Sequence, residues 1–377
     1  MSKDTKDTNY LFVSNVDINN RKGGWDGLGG KIFDLLCERL GPVKLLDKIN
    51  PEISFYSKAT SKFFRSIGWK AQFPAFSKSR LNAIASLLKE QVPGNTDYII
   101  FHGSTPWIHY QPEVKYCAVL DCSFFTYIQV YHQIEQYQSQ DIKRIKNKEY
   151  LFFKNAHRIF FTSQWALQET CKYYGLKGEN FEVIGQGPST IIKQQERSVE
   201  LKNQFLFIAT DFLGKGGAQI CNAFQQLLAT YSDYELVIVG QTPPENFLSG
   251  KNIRFIGYIN KSTAEGREQL ETLYRQSKAL LMMTKKDIAP LVIIEAGLYG
   301  CPSIANNVSA IGEMIKDRET GMLINNDEKE LLKSMLVMAA MSEYEIIDMR
   351  KKVREFMLTD FSWDEIIRKM SEAILKR

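Results

Sequence analysis

Gln204-Phe205-Leu206-Phe207-Ile208-Ala209 runs into Thr210-Asp211-Phe212-Leu213-Gly214-Lys215-Gly216-Gly217 and then into Ala218 to Thr230. The first run is apolar and reads as a buried strand. The second carries the glycines of a turn, and the third has the spacing of a helix. Strand, glycine turn and helix in that order open an α/β unit. The order also stands near the start of the chain. There Tyr10 to Asn15 reads as a strand, and Gly23-Gly24-Trp25-Asp26-Gly27-Leu28-Gly29-Gly30 reads as a turn. Lys31 to Leu40 follows as a helix, with Ile32, Leu35, Leu36 and Leu40 on one face and Gly41-Pro42 closing it. The chain therefore opens an α/β unit twice.

Outward from these openings, short apolar runs recur at α/β spacing. Tyr98–Phe101, Tyr116–Leu120, Arg158–Phe161 and Glu182–Ile184 are expected strands of the first half. Glu235–Val239, Ile253–Ile256, Ala279–Met283, Ser303–Ala305 and Met322–Ile324 are expected strands of the second, with helices at 266–276 and 291–299 between them. Gly185 to Leu201 turns polar and reads as the linker. Trp363 to Leu375 reads as a last amphipathic helix, with Ile366, Ile367, Met370, Ile374 and Leu375 on its buried stripe. The expected organisation is an α/β fold with two doubly wound domains facing across a cleft. It divides into an N-terminal domain at 1–190, a C-terminal domain at 203–360, and a helix at 361–377 that returns to the first domain.

The 377 residues are enough for two domains, and 44% hydrophobic with 24% charged is a folding composition. A net charge of +5 is too mild to argue for nucleic acid. The six cysteines form no Cys-x-x-Cys pair and mostly lie in apolar runs, which points to buried thiols rather than metal or disulfides. The polar start lacks a signal-peptide core, and no apolar run approaches the ~20 residues of a membrane span. A cytoplasmic location is expected, with peripheral contact at the inner face of a membrane open. The segment Ile53 to Leu88 bears on that contact. It carries Lys58, Lys62, Arg65, Lys70, Lys78 and Arg80 among interleaved aromatics, without Asp or Glu. Docking on anionic lipid and a packed helical pair with a solvated basic rim are its two main readings.

Three features of the second half face the carboxyl ends of its strands, where open α/β sheets bind ligands. The Gly214–Gly217 turn would let the backbone approach an anion at a helix N-terminus, and Lys215 would add a point charge suited to a diphosphate. In Asp287-Ile288-Ala289-Pro290-Leu291-Val292-Ile293-Ile294-Glu295, Pro290 opens a helix. Asp287 therefore sits in a loop and Glu295 inside the helix. The amides near Ala289 and Leu291 would face a phosphate, and the carboxylates would accept sugar hydroxyls. Gly257-Tyr258 ends a strand and could offer backbone groups to a base. Taken singly, each of these reads more readily as an ordinary turn, loop or helix-surface residue.

Taken in order they resemble the retaining glycosyltransferases of family 4, the group-1 type with a GT-B fold. The resemblance runs through Ala209 to Lys215-Gly216, Val237-Ile238-Val239-Gly240, Phe255-Ile256-Gly257, and Asp287 to Glu295-Ala296-Gly297-Leu298-Tyr299-Gly300-Cys301-Pro302-Ser303-Ile304. Gly312-Glu313-Met314-Ile315 and Glu319 to Ile324 continue it. It implies sugar transfer from a nucleotide-sugar donor to a glycan, glycolipid or other hydroxyl acceptor, without a metal or other cofactor. Lys215 would bind the donor diphosphate, Asp287 would lie near the donor sugar, and Glu295 would hold the ribose. Gly29 and Gly30 match a loop that meets the phosphates. The chain departs from the family where Ala209 replaces a glycine, Thr210 stands in place of an Arg, and Asp287 is shorter than Glu. Ile288-Ala289-Pro290-Leu291 also replaces a Gly-Phe-Gly-Leu stretch. In the first half, Asp121 stands where many relatives place a His near the transferred sugar; it also reads as a helix cap before Cys122-Ser123. His102 ends a strand and reads as a hydrogen-bonded structural residue or, less readily, a catalyst. An epimerase or phosphorylase of the same fold, and a binding protein that has lost turnover, are the alternative functions.

Overall fold

The computed structural model describes residues 8–19, 24–188 and 199–376. The start up to residue 7, Gly23 of the glycine run, and 189–198 of the expected linker lie outside them, as do the side chains of Asp26 and Arg65. Two compact units result. Of the described residues, the first takes 8–19 and 25–186 and returns for 364–376, and the second takes Gly24 and 187–363.

The first unit begins with β1 (Tyr10–Val13), α1 (Gly24–Leu40), β2 (Val43–Leu46), α2 (Phe55–Ser66) and α3 (Lys78–Gln91). It continues with β3 (Tyr98–His102), β4 (Lys115–Leu120), α4 (Phe124–Tyr131), α5 (Ser139–Asn155), β5 (Arg158–Phe161), α6 (Gln164–Tyr174) and β6 (Phe181–Val183). The strands form one sheet in the order β2-β1-β3-β4-β5-β6, and every pair is parallel. Tyr10, Leu11, Phe12 and Val13 are all buried, as are all residues of β3. A strand covered on both faces reads as a continuous apolar run, which is why these were legible. The short β2 was not expected. It lies at the sheet edge directly after Gly41-Pro42, and its Lys44 is exposed.

The second unit holds β7 (Gln204–Ala209), α7 (Gly217–Leu227), β8 (Glu235–Gly240), α8 (Glu245–Leu248), β9 (Ile253–Gly257) and α9 (Ala264–Gln276). Then come β10 (Ala279–Met282), α10 (Leu291–Leu298), β11 (Ser303–Asn306), α11 (Ile311–Met314), β12 (Gly321–Ile324), α12 (Glu328–Ala340) and α13 (Glu343–Asp360). Its sheet order is β12-β11-β10-β7-β8-β9, again all parallel. Side chains alternate across β7. Phe205, Phe207 and Ala209 join one core, and Leu206 joins the core on the opposite face.

In each unit the strand order reverses once, between β1 and β3 in the first and between β7 and β10 in the second. Such a switch point leaves a crevice at the carboxyl ends of the two flanking strands.

Two expectations are corrected. The glycine run is not a turn: α1 starts at Gly24, so Gly27, Gly29 and Gly30 are helical and buried. Glycine is a poor helix former, but at Gly29 close packing demands it. A Cβ on Gly29 would lie 2.5 Å from Cε1 of His102. The last helix, α14 (Trp363–Leu375), buries Ile366, Ile367, Met370 and Ile374 as expected, together with Ala373. Leu375, however, is exposed at the helix end.

Candidate active site

The second switch point is built by the loops that leave β7 and β10. After β7 the chain folds tightly on itself. Gly214 N donates to Asp211 Oδ1 at 2.9 Å, Lys215 N to Asp211 O at 3.1 Å, Gly216 N to Leu213 O at 3.1 Å, and Gly217 N to Phe212 O at 2.8 Å. Phe212 N donates to Gln241 Oε1 at 2.7 Å, tying this loop to the residue after β8. The amides of the glycine turn are therefore already used, which corrects the view that they open toward an anion. The glycines serve close packing instead. Gly216 has φ +81°, and a Cβ on it would lie 2.3 Å from Met283 Cβ. A Cβ on Gly217 would meet the Phe212 ring at 2.5 Å. What the turn presents is the Lys215 side chain, held beside the first turn of α7.

Lys215 Nζ forms an ion pair with Asp287 Oδ2, both side chains half-buried. The pair bridges the loops after β7 and β10 and so spans the switch point. Asp287 lies in the loop before α10, as expected, and Pro290 is the residue that enters that helix. Ala289 and Leu291 are half-buried at its start, and Ala310 N holds the loop by donating to Ile288 O at 3.0 Å. The first amides of a helix have no partner within it, so the starts of α7 and α10 add partial positive charge at this place.

Glu295 lies on α10 and is almost fully buried. A buried carboxylate needs a cation, and Lys261 supplies it through an ion pair to Oε2. Tyr274 OH donates to the same oxygen at 3.4 Å. Burial and the neighbouring Glu295 charge push the Tyr274 hydroxyl well above its ordinary range, so it stays a donor. Lys261 follows β9, beyond Gly257 (φ +90°) and the exposed Tyr258. Arg267 fixes that loop by donating to Lys261 O at 3.1 Å and Ser262 O at 2.9 Å. Lys261 and Tyr274 were not among the sequence candidates. The signal for Lys261 was its position, a lysine in a loop at the carboxyl end of a strand.

The first switch point has a different character. His102, the last residue of β3, is fully buried, and its Nδ1 lies 3.1 Å from Ser14 Oγ, just past β1. Its ring stacks on Trp25 at 4.1 Å between centroids and lies against Gly29. Burial pushes its pKa down to about 3, so the imidazole is neutral. This is the hydrogen-bonded structural reading of His102. Gly29 and Gly30 lie beyond the first turn of α1, where the helix itself takes up the backbone amides. Their expected place in a loop facing phosphates is therefore corrected.

Asp121 follows β4 and is half-buried. The cap of α4 is Ser123, whose Oγ accepts from Thr126 N at 3.4 Å, so capping is not the task of Asp121. Beside it lies Glu149, which sequence reasoning missed. This fully buried carboxylate accepts from Ser104 Oγ at 2.7 Å, Thr105 Oγ1 at 2.8 Å, Phe124 N at 2.9 Å and the Tyr174 hydroxyl. It ties the loops after β3 and β4 together. Burial raises its pKa against the pull of those hydrogen bonds. The sequence signals its burial but not its partners: Glu149 stands in the apolar stripe Ile142, Ile145, Phe152, Phe153 of α5.

Comparison with known proteins bears on both units. Residues 188–355 match the family described as glycosyl transferases group 1. That stretch contains Lys215, Lys261, Asp287 and Glu295. A protein of 41.2 kDa in the cps region of Klebsiella pneumoniae is 30% identical over 34% of this chain and 34% of its own length. A glycosyltransferase of Haemophilus influenzae is 26% identical over 48% of this chain and 51% of its own. The chain thus spans about a third to a half of these curated relatives. Among solved structures, WaaG, a glycosyltransferase involved in lipopolysaccharide biosynthesis, superposes with a TM-score of 0.66. It covers 98% of this chain and 100% of its own at 14% identity. The fold is GT-B, with two Rossmann-like units.

Proposed function

We propose that the chain is a retaining, metal-independent glycosyltransferase of the family 4 type. It would move a sugar from a nucleotide-diphosphate sugar to a glycan, glycolipid or other hydroxyl acceptor in the cytoplasm. The observation that carries this reading is the Lys215–Asp287 pair across the switch point of a unit whose sequence matches group 1 glycosyl transferases. The name of the Haemophilus influenzae relative points the same way.

On this reading the ion pair is the resting state. The donor diphosphate takes Lys215, whose ammonium has three donors to share. The starts of α7 and α10 add their dipoles. These groups stabilise the leaving diphosphate, the role a metal fills in other sites. Asp287, relieved of part of its partner, faces the donor sugar near Ala289, Pro290 and Leu291. Glu295, held by Lys261, accepts ribose hydroxyls. Gly257 and Tyr258 border the base. Asp121, at the end of β4, is the acceptor-unit carboxylate assigned to the transferred sugar.

The test is a thermal-shift series with UDP-, GDP- and ADP-sugars, followed by turnover with the stabilising donor. One base class should raise the melting temperature by several degrees through ligand linkage, and Lys215→Ala should abolish that rise. If no nucleotide sugar stabilises the protein, the reading fails.

A further inference from the structure

Helix α2 turns hydroxyls and a single ring, Phe64, inward and leaves its other rings in water. An ordinary surface helix buries its apolar stripe and exposes its polar one. Here Ser61 is buried at 2% exposure and bonds Gln72 O at 3.4 Å, with Ser57 and Thr60 half-buried beside it. Phe55 and Tyr56 stand 85% and 77% exposed, and Phe63 shares their face about two turns on. Lys58 and Lys62 are exposed along one flank of that face. Beyond the helix, Ile67 and Trp69 are exposed as well, with Lys70 next to them. Lys70 lines a cavity of about 340 Å³ whose floor is Phe125, Ile134 and Tyr137 and whose rim adds Lys143 and Lys146 against a single carboxylate, Glu135. Apolar surface left in water is costly, and large rings grouped on one helix face mark a contact surface.

We propose that this face docks on an anionic lipid bilayer. The charge pattern selects that occupant. From Ile53 to Leu88 there is no acidic residue, so the charges interleaved with the rings along this segment are all cations, with Glu52 and Glu135 at its margins. Rings that enter the headgroup boundary between lysines that meet lipid phosphates are the arrangement an interfacial helix needs. The lysine-rimmed cavity at the end of the stripe takes one headgroup phosphate over an apolar floor.

The test is sedimentation of the full chain with vesicles of phosphatidylcholine alone and of phosphatidylcholine with phosphatidylglycerol, at low salt. The chain should pellet with the anionic vesicles only. Lys58→Glu with Lys62→Glu should lower partitioning by roughly 30-fold. Phe55→Ser, Tyr56→Ser and Phe63→Ser together should lower it by at least about tenfold. In the unaltered chain, anionic vesicles should shift tryptophan emission to the blue and shield Trp69 from an aqueous quencher. The proposal is overturned by absence of binding to anionic vesicles or by binding that neither set of substitutions lowers. It is also overturned by a dimer in light scattering that the serine variant dissolves, which would make the face a self-association surface. Donor stabilisation is measured without vesicles, so this inference and the donor reading fail separately.

Discussion

The two switch points hold opposite kinds of pairs. Between β1 and β3 the chain places Ser14 and His102, neutral, hydrogen-bonded and sealed under Trp25 and Gly29. Between β7 and β10 it places Lys215 and Asp287, charged, joined by an ion pair and half-open to solvent. Each lies at the single reversal of strand order in a six-stranded parallel sheet, and the chemistry differs. A neutral buried pair can only hold strands and helix in place. A charged, partly open pair can exchange one partner for a ligand. Architecture marks where a site can form, and burial and charge decide which of two equivalent places becomes one.

The comparison breaks first at Lys215. If its pair is a resting state for donor binding, Lys215→Ala should lower kcat/KM by about 1,000-fold, the scale of losing a preorganised electrostatic contact. Folding should change far less than turnover, since Asp287 sits in a loop with 15% of its side chain in water and can be hydrated when Lys215 is removed. Steady-state kinetics beside a thermal melt separates the two. Near-normal turnover would make the second switch point as purely structural as the first.

Lys261 sharpens the contrast from within the second unit. Its partner Glu295 is buried, so Lys261→Met leaves a carboxylate without its cation and should cost about 3 kcal/mol in urea unfolding. Adding Glu295→Gln should recover much of that loss while leaving donor affinity impaired. No recovery would mean that Lys261 stabilises through something other than this carboxylate.

The buried imidazole of the first unit predicts a pH dependence. The His102 pKa is about 3 in the folded chain against 6.5 for the ordinary side chain, so the unfolded chain takes up the proton first. Stability is therefore fully present above pH 6.5 and falls as the pH drops toward 3. Between pH 6.5 and 5 this amounts to about 2 kcal/mol. Unfolding followed by tryptophan emission reports mainly the first unit, which holds Trp25, Trp69, Trp107 and Trp165. His102→Gln should make the slope shallower by about that amount, and His109 and His157, whose pKa values burial also lowers, should keep the remainder. An equal slope in both proteins would show that His102 is not sealed as described.

How much of this was legible follows from what each feature depends on. The fold was readable because buried parallel strands are apolar without interruption, and because β7 with its turn and helix repeats the opening at β1. Lys215, Asp287 and Glu295 were readable because their order along one unit is distinctive. Their partners were not all readable. Lys261 meets Glu295 only after β9 and α10 have been laid beside each other, 34 residues apart. Glu149 gathers donors from the loops after β3 and β4 and from α6, which no local pattern connects. The glycine turns misled for a related reason. Glycine marks either a backbone that must bend or one that must be approached, and sequence does not distinguish them.

That ambiguity supplies the smallest test, inside one helix. Gly27 and Gly29 both lie in α1, and an alanine gains about 1 kcal/mol over glycine in a helix interior. At Gly27 a Cβ meets nothing within 4 Å, so Gly27→Ala should stabilise the first unit by about that amount. At Gly29 the Cβ would enter the His102 ring at 2.5 Å. The ring is held between Trp25 and Ser14 and cannot retreat, so overpacking of about 1–3 kcal/mol outweighs the helix gain. Gly29→Ala should therefore destabilise by about 1 kcal/mol. Opposite signs two residues apart would show that Gly29 is glycine because of the imidazole it covers. A glycine loop wrapped round a phosphate would instead lose from both substitutions alike.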